Sequence, residues 1–492
     1  MTQLRILNSQ SRQKEDFTPL SKERVTMYTC GPTVYDSLHL GHARAAITPD
    51  IVRRYLEYKG FNVRYVMNFT DVDDKIIKKA IAENRDYREI TAKYIDEFHR
   101  IMFSLNVKPA DVYPRATDHI PEMIEIVTKL IEKKHAYAAT DGDVYFDTST
   151  YARYGALSGR KLDEEEAGIS GRISSERMAV KKNQGDFVLW KLNKNDKPEI
   201  AKGGALVPGW ESPWGRGRPG WHLECSAMSR AYVGVPFDIH CGGKDLLFPH
   251  HEDEKAQTEC AYCDELKNAE SVKYWVHNEF INVDGEKMAK SFRDAEGKTN
   301  VKWLREMIWP EGSFDPMAIR MMILSSHYRS PLEVKRELFD EAVARLERIY
   351  NTVEALERTG HASGGVASPT ILAGFSAAMD DDFNTAGALG GLFEFVSQIN
   401  QDLAKNTLSA ENTAQAAATI HQILTILGIR PTRAKAAAAG DSDKLVDLLM
   451  QTRLDARAAK QYPLGDKIRD GLKSLGYEVE DLPGGKWTVK KK

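Results

Sequence analysis

The feature that most constrains the fold is a strand–helix–strand unit near the start of the chain. Residues 24–30, RVTMYTC, alternate β-branched and aromatic side chains as a buried strand does, and residues 41–60, GHARAAITPDIVRRYLEYKG, have helical periodicity. A second strand, FNVRYVMNFT at 61–70, follows directly. This order predicts a parallel, doubly wound α/β sheet whose ligands bind at the carboxyl ends of its strands.

The remainder of the 492-residue chain is long enough for further domains. Short strands and turns are predicted for residues 136–159, and the strand FDIHCGG at 237–243 returns to α/β character. Residues 328–428 carry long amphipathic helical patterns. An Ala-rich linker at 430–443 then leads to a small α+β terminal piece.

Charge and cysteine content narrow the class of protein. The 68 basic and 71 acidic residues give a net charge of −3, so a polyanionic partner must be held by local basic patches. Five cysteines in so long a chain do not make a disulfide framework. With no apolar leader and no run of about 18 apolar residues, a soluble cytoplasmic protein without a membrane partner is expected.

The motif TVYDSLHLGHAR places His39 and His42 three residues apart, on either side of Gly41, where the first strand gives way to its helix. A helix N-terminus attracts phosphate, and imidazole N–H groups beside it can stabilise charge on a transferred phosphoryl group. The alternative is a pair of capping or exposed histidines. The motif alone does not decide between them.

A second motif, DGEKMAKS at 284–291, combines a turn with Lys287 and Lys290. Lysines on a mobile loop can hold polyphosphate and withdraw, as binding ATP and releasing pyrophosphate requires. The alternative is a solvated basic loop. Because no G-x-x-x-x-G-K-[ST] sequence occurs, an ATP-dependent enzyme here would not be a P-loop protein.

In this order, HLGH and KMAKS resemble the HIGH and KMSKS signatures of class I aminoacyl-tRNA synthetases, with Ala289 where serine is usual. The motifs TCGPTVYD, NFTDVDDKII, RPGWHLECSAM and FPHHEDE extend the resemblance, over nearly the whole chain, to the cysteinyl-tRNA synthetases. His250 and Glu254 are four residues apart, hence on one helical face, and Cys30 ends the first strand. Two thiolates, an imidazole and a carboxylate form a suitable zinc shell. The resemblance assigns that role to Cys30, Cys225, His250 and Glu254.

A compact alternative site consists of His250, His251 and the Cys-x-x-Cys pair Cys260 and Cys263. If residues 250–263 are helical, His250 and Cys263 stand roughly 20 Å apart along the axis, far beyond the bonding distance of zinc. The distributed site is therefore favoured. Cys260 and Cys263 are expected to be core or partly exposed thiols, and Cys241 a small buried residue.

The resemblance implies a cysteine–tRNA ligase that forms cysteinyl adenylate from L-cysteine and ATP and transfers the acyl group to tRNA(Cys). Zinc would select the substrate thiolate, and Mg²⁺ would accompany ATP. His39 and His42 would act in adenylation with Lys287 and Lys290. Further binding residues implied are, for ATP, Gly41, Gly242 and Gly243 and, for the amino acid, Thr70, Trp221 and Asp245.

The resemblance also implies an order of domains. A Rossmann catalytic domain carries an inserted domain and is followed by a helical bundle and a small α+β anticodon-binding domain, where Trp487 could either stack on a base or close the core. The sequence leaves the oligomeric state open, with a monomer as the working expectation. The predicted ranges are 1–117 and 217–265 for the two catalytic halves, 118–216 for the inserted connective domain, 266–327 for a stem-contact region carrying the KMAKS loop, 328–430 for the bundle and 440–492 for the last domain.

Two other functions remain open at this point. A related ligase could pass activated cysteine to a small-molecule amine, but such relatives are expected to lack the tRNA-binding C-terminal region. A catalytically silent RNA-binding or zinc-binding homologue should have lost the histidine and lysine motifs. This chain has both motifs and the C-terminal region.

Overall fold

The computed structural model describes residues 3–160, 180–193, 208–267, 269–283, 285–288, 299–309, 315–432, 442–459, 461–482 and 486–491. The chain divides into two compact units, Met1–Pro431 and Thr432–Lys492. The strands are β1 (Arg5–Asn8), β2 (Gln13–Asp16), β3 (Val25–Thr29), β4 (Val63–Met67), β5 (Ala136–Ala138), β6 (Val144–Phe146), β7 (Phe187–Leu192), β8 (Gly217–Pro219), β9 (Phe237–Gly243), β10 (Val272–Asn278), β11 (Ile281–Val283), β12 (Glu286–Lys287), β13 (Leu332–Val334), β14 (Tyr477–Leu482) and β15 (Lys486–Lys491).

The α-helices lie mainly after the sheet strands and in the C-terminal half of the first unit. A π-helical turn, Leu247–His251, directly precedes α6. The helices are α1 (Leu40–Tyr58), α2 (Asp74–Glu83), α3 (Tyr87–Ser104), α4 (Ile120–Glu132), α5 (Trp221–Val233), α6 (Glu252–Ala261), α7 (Cys263–Leu266), α8 (Leu304–Ile308), α9 (Pro316–Leu324), α10 (Arg336–Arg358), α11 (Pro369–Met379), α12 (Thr385–Ala404), α13 (Ala410–Leu427), α14 (Ser442–Ala458) and α15 (Tyr462–Ser474).

The central sheet is parallel and has the strand order β10–β9–β3–β4. The first unit of strand, helix and strand is observed as β3, α1 and β4, which confirms the fold predicted from that pattern. Helix α1 packs its apolar face into the main core, and the chain turns after Tyr58 through Gly60, whose φ of +92° favours glycine. The carboxyl ends of β3, β4 and β9 therefore meet at one edge of the sheet.

Between β4 and β9 the chain forms a second, antiparallel sheet in the order β5–β6–β7–β8. This sheet shares a second hydrophobic core with α4, α5 and α6. The acidic, Gly-containing segment LDEEEAGISG, whose composition predicts a mobile loop, lies outside the described residues. The antiparallel sheet is thus the inserted element expected from the sequence, and its strand β8 leads directly into α5.

Helices α10 to α13 pack together and extend the main core, as the amphipathic pattern predicted. The short hairpin of β1 and β2 and the strand β10 at the sheet edge were not predicted from the sequence.

The second unit contains α14, α15 and the antiparallel pair β14–β15 around a small core. Trp487 was predicted either to stack on a base or to close the core, and its side chain is not among those that the structure describes. Within the described ranges, the structure contains no helix that is both long and apolar enough to cross a bilayer.

Candidate functional site

The predicted metal ligands converge at the carboxyl edge of the central sheet. Cys30 follows β3, Cys225 lies on α5, His250 is in the π-helical turn, and Glu254 is in the first turn of α6. One possible ligand atom from each of the four lies within 4.8 Å of the others. Glu254 Oε1 is 3.1 Å from Cys30 Sγ and 2.8 Å from His250 Nε2. This set of two sulfurs, one nitrogen and one oxygen is a donor set that zinc accepts.

The electrostatics of this cluster follow from burial and from close partners. Burial disfavours the charged imidazolium, yet the Glu254 carboxylate overrides it and raises the pKa of His250 to about 10. Burial likewise disfavours the Cys225 thiolate, but hydrogen bonds from Cys30 and His250 lower the pKa of Cys225 to about 7. Burial and the neighbouring Cys225 raise the pKa of Cys30. One thiol is therefore prepared for the deprotonation that metal binding requires.

A second overlapping set of donor atoms contains Cys30, His240, His251 and Glu254. His240 Nε2 is 3.0 Å from Glu254 Oε2, and His251 Nδ1 is 2.7 Å from His277 Nε2. Burial lowers the pKa of His251 and of His277, the latter to about 3. Glu254 is common to both sets, so its two oxygens link the Cys225 side of the cluster to a row of buried histidines.

Cys260 and Cys263 belong to neither set of donor atoms found among the described residues. Cys260 is buried on α6, and Cys263 is exposed on α7 with its Sγ 3.2 Å from Lys133 Nζ. The α-helix runs only from Glu252 to Ala261, so the assumed continuous helix over 250–263 is wrong at both ends. His250 lies in the preceding π-helical turn, and Cys263 begins α7 after an interruption at Tyr262. Cys241 is buried in β9, where burial raises the pKa of its thiol to about 12.

Helix α6 is rich in charged and polar residues, yet all ten residues of the helix are buried. Buried acids are rare unless they are paired, and each acid here has a partner. Glu252 accepts from Ser158 N–H at 2.8 Å, and Asp253 lies 3.2 Å from His222 Nε2 and accepts from the Tyr154 hydroxyl. At the far end of the helix, the partners of Glu259 are Tyr151, Arg153, Lys255 and Ser271. Residues 151–158 of the inserted region therefore bind, through hydrogen bonds and an ion pair, to the acids of the helix that contains Glu254.

A cleft of about 620 Å³ lies beside the cluster. Trp221 and His222 line it on the catalytic side, and Lys287 lines it from the KMAKS motif. The inserted region contributes much of its basic lining. The basic residues of the lining are Arg160, Lys181, Lys191, Arg218 and Lys287. Acidic residues line the cleft as well, namely Asp73, Asp74, Asp186, Glu224, Asp245 and Asp253. The cleft can therefore accommodate a ligand that carries groups of both charges next to the cluster.

His39 and His42 form a reciprocal cap at the start of α1. His39 Nδ1 accepts the Gly41 N–H at 3.1 Å, and His42 Nδ1 accepts the His39 N–H at 3.1 Å. A neutral imidazole that accepts at Nδ1 carries its proton at Nε2. Capping and donation toward a phosphate are therefore compatible, so the two interpretations of this motif do not exclude each other.

The other predicted nucleotide residues are only partly placed. Lys287 Nζ lies 3.6 Å from the centre of the Phe280 ring, whereas Ala289 and Lys290 lie outside the described residues. Gly242 and Gly243 end β9, where a Cβ on Gly242 would stand 2.4 Å from the His251 ring. The requirement for glycine at 242 comes from this ring.

The three predicted amino-acid contacts differ in position. The ring of Trp221 lies 4.2 Å from that of His250, and Trp221 and Asp245 both line the cleft. Thr70 is buried, and its backbone bonds to Pro32 and Val34 after β3. A hydrogen bond from Thr70 acts to lower the pKa of buried Glu224, although burial raises it overall.

Sequence analysis assigned no role to Asp253, Tyr154 and the histidines at 222, 240 and 277. His222 stood beside Cys225 in a quoted motif, and Asp253 stood next to Glu254, so their proximity in sequence was a usable signal. Tyr154 is about a hundred positions away, and no local pattern could connect it to Asp253. Arg44, two residues after His42, was also missed, although its guanidinium donates to four backbone carbonyls of residues 280–330.

Comparisons with known families agree with the site. Residues 16–344 match the family of class I (C) tRNA synthetase catalytic domains, and residues 374–430 match the DALR domain. A cysteine–tRNA ligase of Thermococcus onnurineus is 43% identical, covering 98% of both chains. One from Desulfitobacterium hafniense is 44% identical, covering 99% of this chain and 100% of the relative.

Solved structures support the fold. A methionyl-tRNA synthetase of Mycobacterium tuberculosis matches 87% of this chain and 94% of its own with a TM-score of 0.56 at 16% identity. A leucyl-tRNA synthetase complex of Agrobacterium radiobacter matches 85% of each chain with a TM-score of 0.58 at 12% identity. These matches confirm the class I fold, and the full-length relatives confirm the resemblance seen in the sequence motifs: the chain belongs to the cysteine–tRNA ligase family of class I aminoacyl-tRNA synthetases.

Proposed function

We propose that Cys30, Cys225, His250 and Glu254 bind one zinc ion that selects the thiolate of L-cysteine. The observation that carries this proposal is the convergence of these four side chains beside the cleft, with donor atoms within 4.8 Å. Bound zinc supplies a site that prefers a soft thiolate over the hydroxyl of serine. A hydrophobic pocket alone separates near-isosteres by only about 1–3 kcal/mol. A direct sulfur contact therefore accounts for selection without an editing site.

Activation of cysteine is assigned to the two motifs at the sheet edge. His39 and His42, with their Nε2–H groups, would stabilise charge on the phosphates of ATP, which Mg²⁺ accompanies. The backbone of Gly41, Gly242 and Gly243 would contact the nucleotide, and Lys287 and Lys290 would hold the leaving pyrophosphate. No protein nucleophile is needed, because positioning and charge stabilisation suffice for adenylate formation.

The amino acid itself is assigned to the cleft wall. Trp221 packs on His250 and would cover the substrate side chain, and Asp245 is exposed in the lining where it could accept the α-ammonium group. Thr70 is buried, so its proposed contribution is through Glu224, whose pKa it acts to lower against the effect of burial. Together these residues would orient the carboxylate of cysteine toward the α-phosphate.

The second half-reaction requires the 3′ end of tRNA(Cys). The basic lining of the cleft, including Arg160 and Lys181, would hold its phosphates next to the adenylate. The helical bundle, the DALR domain and the last domain, with the ranges given above, are proposed to contact the rest of the tRNA. We further propose that the enzyme acts as a cytoplasmic monomer.

One pair of assays tests this function. We expect zinc-loaded protein to exchange pyrophosphate into ATP only when cysteine is present, and then to charge a tRNA(Cys) transcript. Exchange without charging would favour a ligase that uses a small-molecule amine. Absence of exchange would contradict both enzyme functions and leave a silent homologue.

Two serine variants test the ligand set. Cys225→Ser should lower zinc affinity by more than the roughly 10- to 100-fold typical of outer-shell changes, and should raise the KM for cysteine. Cys263→Ser is the matched control, since its thiol is exposed and lies outside both donor sets among the described residues. Zinc content measured by a chelator assay should be unchanged in the control. Equal loss of zinc in both variants would instead support the compact site.

A further inference from the structure

The inserted region reaches the metal cluster through a chain of hydrogen bonds. Tyr154, between β6 and β7, donates its hydroxyl to Asp253 Oδ1. Asp253 is only 1% exposed, and its other oxygen lies 3.2 Å from His222 Nε2. His222 Nδ1 is in turn 2.7 Å from His250 Nδ1. This series of hydrogen bonds thus ends on the imidazole of His250, which is proposed as a zinc ligand.

The direction of these hydrogen bonds determines which nitrogen of His250 can bind metal. When Nε2 of His250 binds a metal ion, the remaining proton of its ring is on Nδ1, so His222 Nδ1 must accept it. The proton of neutral His222 is then on Nε2, where the Asp253 carboxyl accepts it. Two Nδ1 atoms at 2.7 Å share one proton, and that proton must then belong to His250. In this arrangement Nε2 of His250, which lies 2.8 Å from Glu254, is the nitrogen that a metal ion would bind in place of a proton.

We propose that Tyr154, Asp253 and His222 are positioning residues that hold His250 in its metal-binding tautomer. This inference rests on the zinc ligation proposed above and adds a role for the inserted region. Tyr154 fixes the orientation of the Asp253 carboxyl, Asp253 fixes the tautomer of His222, and His222 fixes that of His250. Metal-binding histidines commonly depend on such a partner at their second nitrogen.

A second contact on the same helix provides a built-in comparison. Tyr151 lies three residues before Tyr154 and donates its hydroxyl to Glu259 Oε2 on α6. Glu259 is buried like Asp253, but its partners are Arg153, Lys255 and Ser271 and not a histidine. Tyr151→Phe and Tyr154→Phe therefore each remove a hydroxyl group that donates to a buried acid of α6. Only Tyr154→Phe removes a hydroxyl that belongs to the series of hydrogen bonds leading to His250.

The experiment measures zinc dissociation constants of full-length variants by competition with a chelator, alongside their urea unfolding curves. Outer-shell changes typically cost about 10- to 100-fold in metal affinity, and we expect a loss in that range for Asp253→Leu. Tyr154→Phe acts one bond further out, so a smaller loss, about 3- to 10-fold, is expected. Asp253→Asn should stay near the wild-type affinity, because its amide oxygen still accepts from His222. Tyr151→Phe should lose stability but not zinc affinity.

Several outcomes would overturn the inference. Equal zinc affinity of Tyr154→Phe and Tyr151→Phe would contradict it, and this pair remains informative even if Asp253→Leu does not fold. Loss of zinc in Asp253→Asn as large as in Asp253→Leu would contradict the tautomer argument. Cys225→Ser separates this failure from that of the proposed ligand set. If Cys225→Ser loses zinc while Tyr154→Phe does not, the ligand set stands without the positioning chain; if both bind normally, the ligand set itself is wrong.

Discussion

Gly31 lies where the loops after β3 and β4 come closest together. A Cβ atom on this residue would stand 1.7 Å from the backbone oxygen of Asn68. The Gly31 N–H donates to Asn68 Oδ1 at 2.9 Å, and the same amide oxygen is 3.7 Å from Cys225 Sγ. Because Cys30 is the preceding residue, this close approach also sets the distance between the two proposed sulfur ligands.

Gly31→Ala is expected to destabilise the protein and to weaken zinc binding together. Forcing a methyl group against backbone that cannot rotate away typically costs about 1–3 kcal/mol of the free energy of unfolding. Urea unfolding and chelator competition would measure the two effects. The control is Gly374→Ala in α11, where a Cβ meets nothing within 4 Å, and about 0.5–1 kcal/mol of stabilisation is expected. Unchanged stability of Gly31→Ala would contradict the close approach.

At the residue scale, the sequence predicted where a residue lies in the fold better than it predicted which side chains that residue contacts. Cys30 was expected at the sheet edge because it ends a strand, and it lies there. His240 could not be assigned, since its position within β9 gives no indication that its ring turns toward Glu254 at 3.0 Å. The capping role of His39 was one of two alternatives, and only the Nδ1 contacts show that it leaves Nε2 as a donor.

Helix α6 illustrates the limit of pattern reading at the scale of an element. Its sequence, EDEKAQTECA, has the polarity of an exposed helix, yet the helix is entirely buried. Burial depends on the inserted region, whose residues 151–158 supply partners for Glu252, Asp253 and Glu259 from about a hundred positions away. Local periodicity contains no information about such distant partners, whereas it did predict β3, α1 and β4.

A separate contact joins the inserted sheet to the catalytic domain at the start of α2. Asp74, the first residue of α2, is 2.5 Å from Lys191 Nζ on β7 and 2.7 Å from Arg218 on β8. Burial opposes ionisation, but the two cations and the helix N-terminus favour it, and they hold the pKa of Asp74 well below its usual range. This carboxylate therefore anchors two strands that line the cleft.

Asp74→Asn should lower stability in a pH-dependent manner. A carboxyl whose folded pKa is below its unfolded value of about 3.9 stabilises the protein above that value, and the contribution is lost as the pH falls toward the folded pKa. Because the side chain is 44% exposed, solvent screens the pair, and about 1 kcal/mol or less is expected at pH 7. Unfolding curves at pH 7 and pH 3 would show the difference from wild type shrinking in acid. If the difference in free energy of unfolding between Asp74→Asn and wild type is the same at both pH values, the loss of stability does not come from the charge of Asp74.

For the whole molecule, the order of domains follows from the sequence more readily than the contacts that hold them. The parallel sheet, its insertion and the helical bundle were each predicted from local pattern. The contact between the bundle and the catalytic domain was not, because it involves distant partners such as Arg320 of α9, which is fully buried. Arg320 is ion-paired with Asp50 of α1 and donates to Leu427 O at the end of α13 at 2.7 Å. One guanidinium thus links three helices that are distant in the chain.

Arg320→Met is expected to destabilise the first unit strongly. Removing one partner of a buried ion pair typically costs about 3–5 kcal/mol, since the other charge stays buried. Asp50 keeps Arg54, whose Nε lies 2.9 Å from Oδ2, so a loss near about 3 kcal/mol is expected. Arg336→Met is the control, because its pair with Asp340 is exposed at the start of α10, and its urea midpoint should not change measurably. If both variants unfold at the wild-type urea midpoint, Arg320 does not hold the bundle against the sheet domain. A lower midpoint in Arg320→Met alone would show that this buried ion pair stabilises the first unit.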